Sequence, residues 1–255
     1  MAKTDLIWHG TASIEAICDG GRILFDPFVP LKGSPVDVRA EEFDGFSHIF
    51  VTHGHLDHTA SLPGIVKRNP AVTICCTRAV CRTLRRKGVP AKNLSLLRYG
   101  ETRRVNGFTV RVYHAKHAVL PKLDRKRLDS WLRSPARGNI PYILWAHMLC
   151  PEKGESVLYQ FEADGKTVAL LGSLNLRDDV GYPVGADVLV LPYNGWDDNL
   201  PPAVKTIQRL KPKRVLLDHY DDTFPPLTST MDVSPLVERY GGLAAPMVLG
   251  KKEPV

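Results

Sequence analysis

The sequence predicts an α/β fold of two packed β-sheets with helices on their outer faces. Three observations carry that prediction. Short apolar runs recur along the chain between Gly, Pro and Asp-Gly turns, the pattern of strands and compact helices. The runs begin as hairpins, go over to alternating strands and helices, and then repeat that order. Two similar halves of this kind cover one face of each sheet with the other and leave the outer faces to helices. Finally, 44% of the residues are hydrophobic and 24% charged, ordinary values for a globular chain, and 255 residues bury a core without disulfide staples.

The elements follow in order. TDLIWHG (4–10) and ASIEAIC (12–18) read as strands, and the turn DGG (19–21) leads into RILFDPF (22–28) as a hairpin. FSHIFVT (46–52) is a buried strand. SLPGIVKRN (61–69) and TRAVCRTLRRKG (77–88) read as helices on either side of the strand AVTICCT (71–77). The cations of RRKG (85–88) suit a helix C-terminus, where they meet the negative end of the dipole. Asn106-Gly107 and Asp164-Gly165 each sit between alternating runs, a strong hairpin signal. ADVLVLPYN (186–194) and KRVLLDHY (213–220) are strands flanking the helix PPAVKTIQRLKP (201–212), which has Pro at both ends. A helix DVSPLVERYGG (232–242) and a short run APMVLG (245–250) close the chain. The irregular segment is 118–150, with six basic residues and two acids in its first twenty; it reads as an insertion or lid.

The five cysteines, Cys18, Cys75, Cys76, Cys81 and Cys150, form no CxxC pair and read as reduced thiols, core or half-buried. With no apolar leader and no stretch near the roughly 18 apolar residues of a membrane span, the expectation is a cytoplasmic protein without membrane contact. The net charge of +7 favours an anionic ligand weakly and says nothing of oligomeric state. No Walker or GxGxxG loop points to a nucleotide cofactor.

The chemistry concentrates in HGHLDH (53–58). Nine histidines in the chain make three at fixed spacing a chance event in about one chain in a hundred. The cluster follows a buried strand and precedes a helix, where a loop aims several side chains at one point. Imidazole and carboxylate donors suit one or two divalent transition metals, zinc first, with manganese or iron as alternatives.

HGHLDH resembles the HxHxDH signature of the metallo-β-lactamase-fold hydrolases. The resemblance runs through most of the chain in family order. LIWHGTASIEAICDGGRILFDPF (6–28) resembles the opening, with Asp26-Pro27 at its Asp-Pro; VYHAKHAV (112–119) resembles the next histidine motif; LLGSLNL (170–176) occupies the place of Gly-Asp-Thr; and VLLDHYDD (215–222) resembles the final histidine motif. The nearest branch resembles L-ascorbate-6-phosphate lactonase and related small metal-dependent hydrolases. The resemblance implies a four-layer αββα sandwich and a single domain over 1–255. It implies that His53, His55 and His117 hold the first metal and that Asp57, His58 and His219 hold the second. A hydroxide carried by the metals is then the nucleophile, and Asp57 is catalytic, orienting it or shuttling its proton. His117 rather than His114 fits the family's Ala-x-His, so His114 is expected in the core or behind the ligands. Thr11 stands where the family often has a histidine, and His9 is expected to have a core or supporting role.

One position departs from the pattern. The family's bridging aspartate is Ser173 here, which removes a negative charge from between two cations. The site then holds one metal, or two bridged by hydroxide, or borrows Asn175 or Asp178, or has lost its chemistry; retained metal binding is expected because six ligand candidates persist. Two readings of the basic segment, with Lys122, Arg125, Lys126, Arg127, Arg133 and Arg137, stand side by side: a phosphate-binding lid or a solvated helix face. Tyr193, Asn194 and Trp196 are expected near the substrate, with Lys122 and Arg125, whereas His147 and Trp145 are expected to pack. The implied function is hydrolysis of a small, anionic ester, lactone or phosphorylated metabolite. The alternatives are a phosphodiesterase or nuclease of the same fold, with nucleic acid as partner, and a non-catalytic metal-binding or sensing protein.

Overall fold

The computed structural model describes residues 4–118, 124–150, 154–194 and 199–255. Its first sheet takes strands Asp5–Trp8 (β1), Ile14–Cys18 (β2), Gly21–Phe25 (β3), His48–Phe50 (β4), Thr73–Cys76 (β5) and Leu94–Leu96 (β6). Helices Leu56–Thr59 (α1), Leu62–Arg68 (α2) and Arg78–Arg86 (α3) fall between them. The second sheet takes Thr102–Val105 (β7), Phe108–Lys116 (β8), Glu155–Ala163 (β9), Lys166–Leu171 (β10), Val188–Pro192 (β11), Val215–Asp218 (β12) and Ala244–Pro246 (β13). Helices Arg125–Arg133 (α4) and Ile140–Met148 (α5) are inserted between β8 and β9, and Leu200–Leu210 (α6) and Ser234–Tyr240 (α7) lie among the later strands. The last strand, Lys252–Pro254 (β14), returns to the first sheet beside β1.

Each sheet has seven strands, in the orders β14-β1-β2-β3-β4-β5-β6 and β13-β12-β11-β10-β9-β8-β7. Both begin antiparallel and become parallel at β3–β4 and β10–β11, so the two halves repeat one plan, as the order of hairpins and helices predicts. The hairpin turns at Asn106-Gly107 and Asp164-Gly165 have positive φ at both residues, the geometry that suits the twist of the flanking strands. The prediction passes over β6 and β14. Both are three residues long, LSL and KEP, and carry too little pattern to be seen without the neighbour they pair with.

Three layers of burial hold the fold. Between the sheets, Phe25 on β3 stacks on Phe161 of β9 at 5.1 Å and 23°, among Leu6, Ile23, Val110, Val157 and Val190. Each such side chain contributes about 2 kcal/mol on leaving water. Alternation then sends Leu24, Ile49 and Ile74 to the outer face of the first sheet, under α2 and α3. Ala169, Leu189 and Leu217 face α6 and α7 on the other side. The outcome is the four-layer αββα sandwich. All five cysteines are free. Among the described residues no helix is long and apolar enough to cross a membrane.

Candidate metal centre

The carboxyl ends of β3, β4, β8, β10 and β12 meet at one edge of the sandwich, and each delivers a polar residue there: Asp26, the 53–58 cluster, His117, Ser173 and His219. His53 and His55 lie in the loop after β4, and His55 immediately precedes α1, which carries Asp57 and His58 on its first turn. His219 follows β12 with a left-handed φ of 58°, and its N–H donates to the Thr11 carbonyl at 2.9 Å.

These residues form two groups. His53, His55 and His117 bring three ring nitrogens within 4.8 Å of one another, and Asp57, His58 and His219 do the same with two nitrogens and a carboxylate oxygen. The His53 and His58 rings are 3.9 Å apart, so the groups adjoin. His117 Nδ1 is 2.7 Å from the Ala118 carbonyl, which accepts the proton and turns Nε2 to the pocket. Asp57 lies 2.9 Å from His219 Nε2 and 3.4 Å from His58 Nε2. Behind His58, Asp26 is 2.9 Å from Nδ1 and accepts from both the N–H and the hydroxyl of Thr52. A carboxylate seated behind an imidazole in this way fixes the ring's orientation and raises its basicity as a ligand.

The two groups differ in charge. Burial, with crowding by the neighbouring imidazoles, pushes His53 and His55 well below the ordinary histidine range, and burial brings His117 down to about 4. All three therefore offer neutral nitrogen lone pairs. In the second group burial opposes charge, but Asp57 and Asp26 outweigh it and raise His58 to about 10. Burial also opposes ionisation of Asp57, and His58 and His219 outweigh it, holding the carboxyl well below its usual range. That half of the pocket favours positive charge, as a cation site must.

The donor chemistry fits a divalent metal. Six nitrogen and oxygen donors are buried or nearly so around one cavity, and His219 Nδ1 is buried with no hydrogen-bond partner among the described residues. Gly172 fits the same picture. A Cβ there would stand 2.2 Å from Thr52 Cβ and 2.5 Å from its hydroxyl, so only glycine lets the end of β10 approach the Thr52–Asp26 pair.

The structure brings together every proposed ligand and Ser173, which is buried in the pocket wall and accepts from the Ala118 N–H at 3.0 Å. Neither substitute for the missing carboxylate reaches it. Asn175 donates to the His117 carbonyl, and Asp178 is exposed and lies within 3.7 Å of Lys205 and Arg209. His114 stacks on Tyr99 at 4.0 Å, 3.6 Å from Glu155, and His9 pairs with Glu15 at 3.1 Å; neither lines the pocket.

The cavity above the two groups holds about 200 Å³. Its far wall comes from the inserted helices and the loop after β12: Arg127 and Trp131 of α4, Leu144 and His147 of α5, and Phe224 and Leu227. Several expectations are corrected here. His147 does not pack in a core but stacks on His55 at 5.0 Å and 17°, and Trp145 is exposed. Tyr193 is buried in the outer core under α6 rather than in the pocket, because β11 alternation turns it away. Asn194, the next residue, does line the cavity. Arg125 lines a separate surface groove with Lys126 and Arg133, and among the described residues of the basic run only Arg127 enters the cavity wall. Lys122 and Trp196 lie outside the described residues. The aromatic and leucine wall was not anticipated; the i, i+4 spacing of Arg127 and Trp131 was its one sequence signal.

Two facing sheets with helices outside and histidine–aspartate donors at the strand ends define the metallo-β-lactamase fold. Residues 21–220 match the model of the beta-lactamase superfamily domain. The chain belongs to that family. It is 29% identical over 231 residues to a UPF0173 metal-dependent hydrolase of Desulfitobacterium hafniense, covering 88% of this chain and 86% of that one. Among solved structures, it resembles the metallo hydrolase Igni18 of Ignicoccus hospitalis at a TM-score of 0.65 and 18% identity, covering 99% and 98% of the two chains. It also resembles the metallo-beta-lactamase fold protein YhfI of Bacillus subtilis at 0.64 and 12%, covering both fully.

Proposed function

We propose that the protein is a metal-dependent hydrolase of small anionic esters, lactones or phosphorylated metabolites, a single domain over 1–255 in which helices α4 and α5 form the lid. The observation that carries this is the pair of donor groups, His53/His55/His117 and Asp57/His58/His219, side by side on the floor of one cavity. Zinc suits three neutral imidazoles best; manganese and iron share the same donors. The two donor groups would hold a divalent cation, which would supply Lewis-acid chemistry: a more acidic water and a polarised scissile group.

The chain's own residues supply the rest. Asp26 and the Ala118 carbonyl orient His58 and His117. Asp57 is the carboxylate among the described lining residues, and, kept ionised by His58 and His219, it orients the attacking water by accepting its hydrogen bond. Arg127 meets an anionic group of the substrate, while Trp131, Leu144, Phe224 and Leu227 exclude water and receive an apolar part. A nucleic-acid substrate is less well served, since Arg125, Lys126 and Arg133 gather in a groove apart from the cavity. Metal analysis of the purified protein and a panel of lactones, carboxylic esters and phosphoesters test the reading. One or two equivalents of transition metal with turnover on the panel are expected; metal without any turnover favours a sensing role, and no metal overturns the proposal.

A further inference from the structure

The lid carries a second surface that the hydrolase reading leaves unused. Leu128, Leu132, Tyr142, Trp145 and Met148, none of which lines the cavity, are all exposed, Met148 at 80% and Trp145 at 51%, and they are five of the eleven large apolar side chains exposed among the described residues. On α4, Leu128 and Leu132 follow the cavity-lining Arg127 and Trp131 by one position each, about 100° further round the helix. On α5, Ile143 and Ala146 are buried against Phe28, Leu56 and Phe224, which leaves Tyr142 and Trp145, stacked at 6.1 Å and 28°, on another side. Exposed apolar groups at this density mark an interaction surface.

The same segment is basic. Residues 124–150 hold five Lys and Arg against two Asp, and Asp124 is occupied in capping α4 through the Arg127 N–H. Arg125, Lys126 and Arg133 line one groove with Asp129, Ser130 and Ser134, so three cations outnumber the one carboxylate there, on the same helix as Leu128 and Leu132.

We propose that this face of the lid docks on an anionic lipid bilayer, with Trp145, Met148 and the leucines entering the headgroup boundary and the basic groove meeting lipid phosphates. Tryptophan and tyrosine beside lysine and arginine form the interfacial combination, because one part of the surface seeks acyl chains and the other phosphate. A second copy would match the apolar side chains but set two basic segments against each other. Nucleic acid would match the charge and leave Leu128, Leu132 and Met148 without partners. Docking of this kind needs no spanning helix, so the lack of one among the described residues does not bear on it, nor does the want of a long apolar stretch that underlay the expectation of no membrane contact. The proposal is independent of the hydrolase reading.

The test is flotation of the full chain with vesicles of phosphatidylglycerol and phosphatidylcholine in equal parts, against pure phosphatidylcholine. Binding to the mixed vesicles is expected, and substituting Arg125, Lys126 or Arg133 by Ser weakens it by about fivefold per cation. The double variant Trp145→Ser, Met148→Ser weakens binding about tenfold or more through lost apolar insertion, with thermal melting unchanged because both residues are exposed. Equal binding by wild type and double variant, or no binding to mixed vesicles, overturns the proposal. So does a dimer in sedimentation velocity, without lipid, that the double variant dissociates; that result would assign the face to a second copy.

Discussion

The floor of the cavity and its lid are built on opposite terms. On the floor, each donor sits at the end of a paired strand or on the turn beyond it, is largely buried, and most have a defined partner: Asp26 for His58, the Ala118 carbonyl for His117, Asp57 for His219. The lid has two short helices held mainly by Ile143 and Ala146, and by Asn139, which donates to the Lys32 and Pro225 carbonyls. Rigid donors set what reaction the site performs. An exposed wall of mixed chemistry sets what enters, and it changes at little cost to the fold.

Substitutions separate the two regions. His55→Ala removes a floor donor; metal content by mass spectrometry is expected to fall by at least one equivalent, and turnover by more than about 100-fold, beyond the loss typical of a supporting residue. Ser173→Asp returns a carboxylate to the floor. It is expected to tighten the more weakly held metal by about tenfold in chelator competition, because a negative charge then offsets two adjacent cations. If metal affinity and stoichiometry stay unchanged, position 173 does not govern the charge of the site. The floor also predicts a pH dependence for the chelated protein. His117 has its folded pKa lowered to about 4, so between its unfolded value and 4 the unfolded chain binds the extra proton, and stability falls as pH falls. From pH 7 to 5 the loss from this residue is about 2 kcal/mol in denaturant titrations, and His117→Gln flattens the slope. A tenfold effect, no larger than that of Ser173→Asp, belongs to the lid. Arg127→Ala is expected to raise KM for an anionic substrate about tenfold, the worth of one charged hydrogen bond, with metal content unchanged. Loss of metal in that variant would join the two regions that the structure keeps apart.

Most of the floor was legible because its signal is local. HGHLDH places four donors within one loop and turn, whereas His117 and His219, each following a strand, are singled out as ligands only by the resemblance to the family's later motifs. The lid was legible only as a basic, irregular stretch. Which of its cations faces the cavity depends on how α4 sits over the floor, and the packing of Ile143 and Ala146 against Leu56 and Phe28, far apart in sequence, anchors the neighbouring α5. Tyr193 was misplaced for a related reason: an all-apolar strand such as Val188–Pro192 is buried on both faces and does not show which face looks inward.

By itself the sequence determined the strands and hairpins, the repetition of two halves and the HGHLDH cluster, which are written in local pattern and spacing; His117, His219 and the place of Ser173 came from the resemblance to the family's motif order. The tertiary structure decided which donors meet, that Asp26 and Gly172 support them, that neither Asn175 nor Asp178 replaces the bridging carboxylate, and that the lid presents Arg127 and an aromatic wall inward and a basic, apolar face outward. Asp26 meets Thr52 through the pairing of β3 with β4, the approach of residues 117, 172 and 219 to that pair needs the two sheets to face each other, and the lid depends on the packing of Ile143 and Ala146 on the floor.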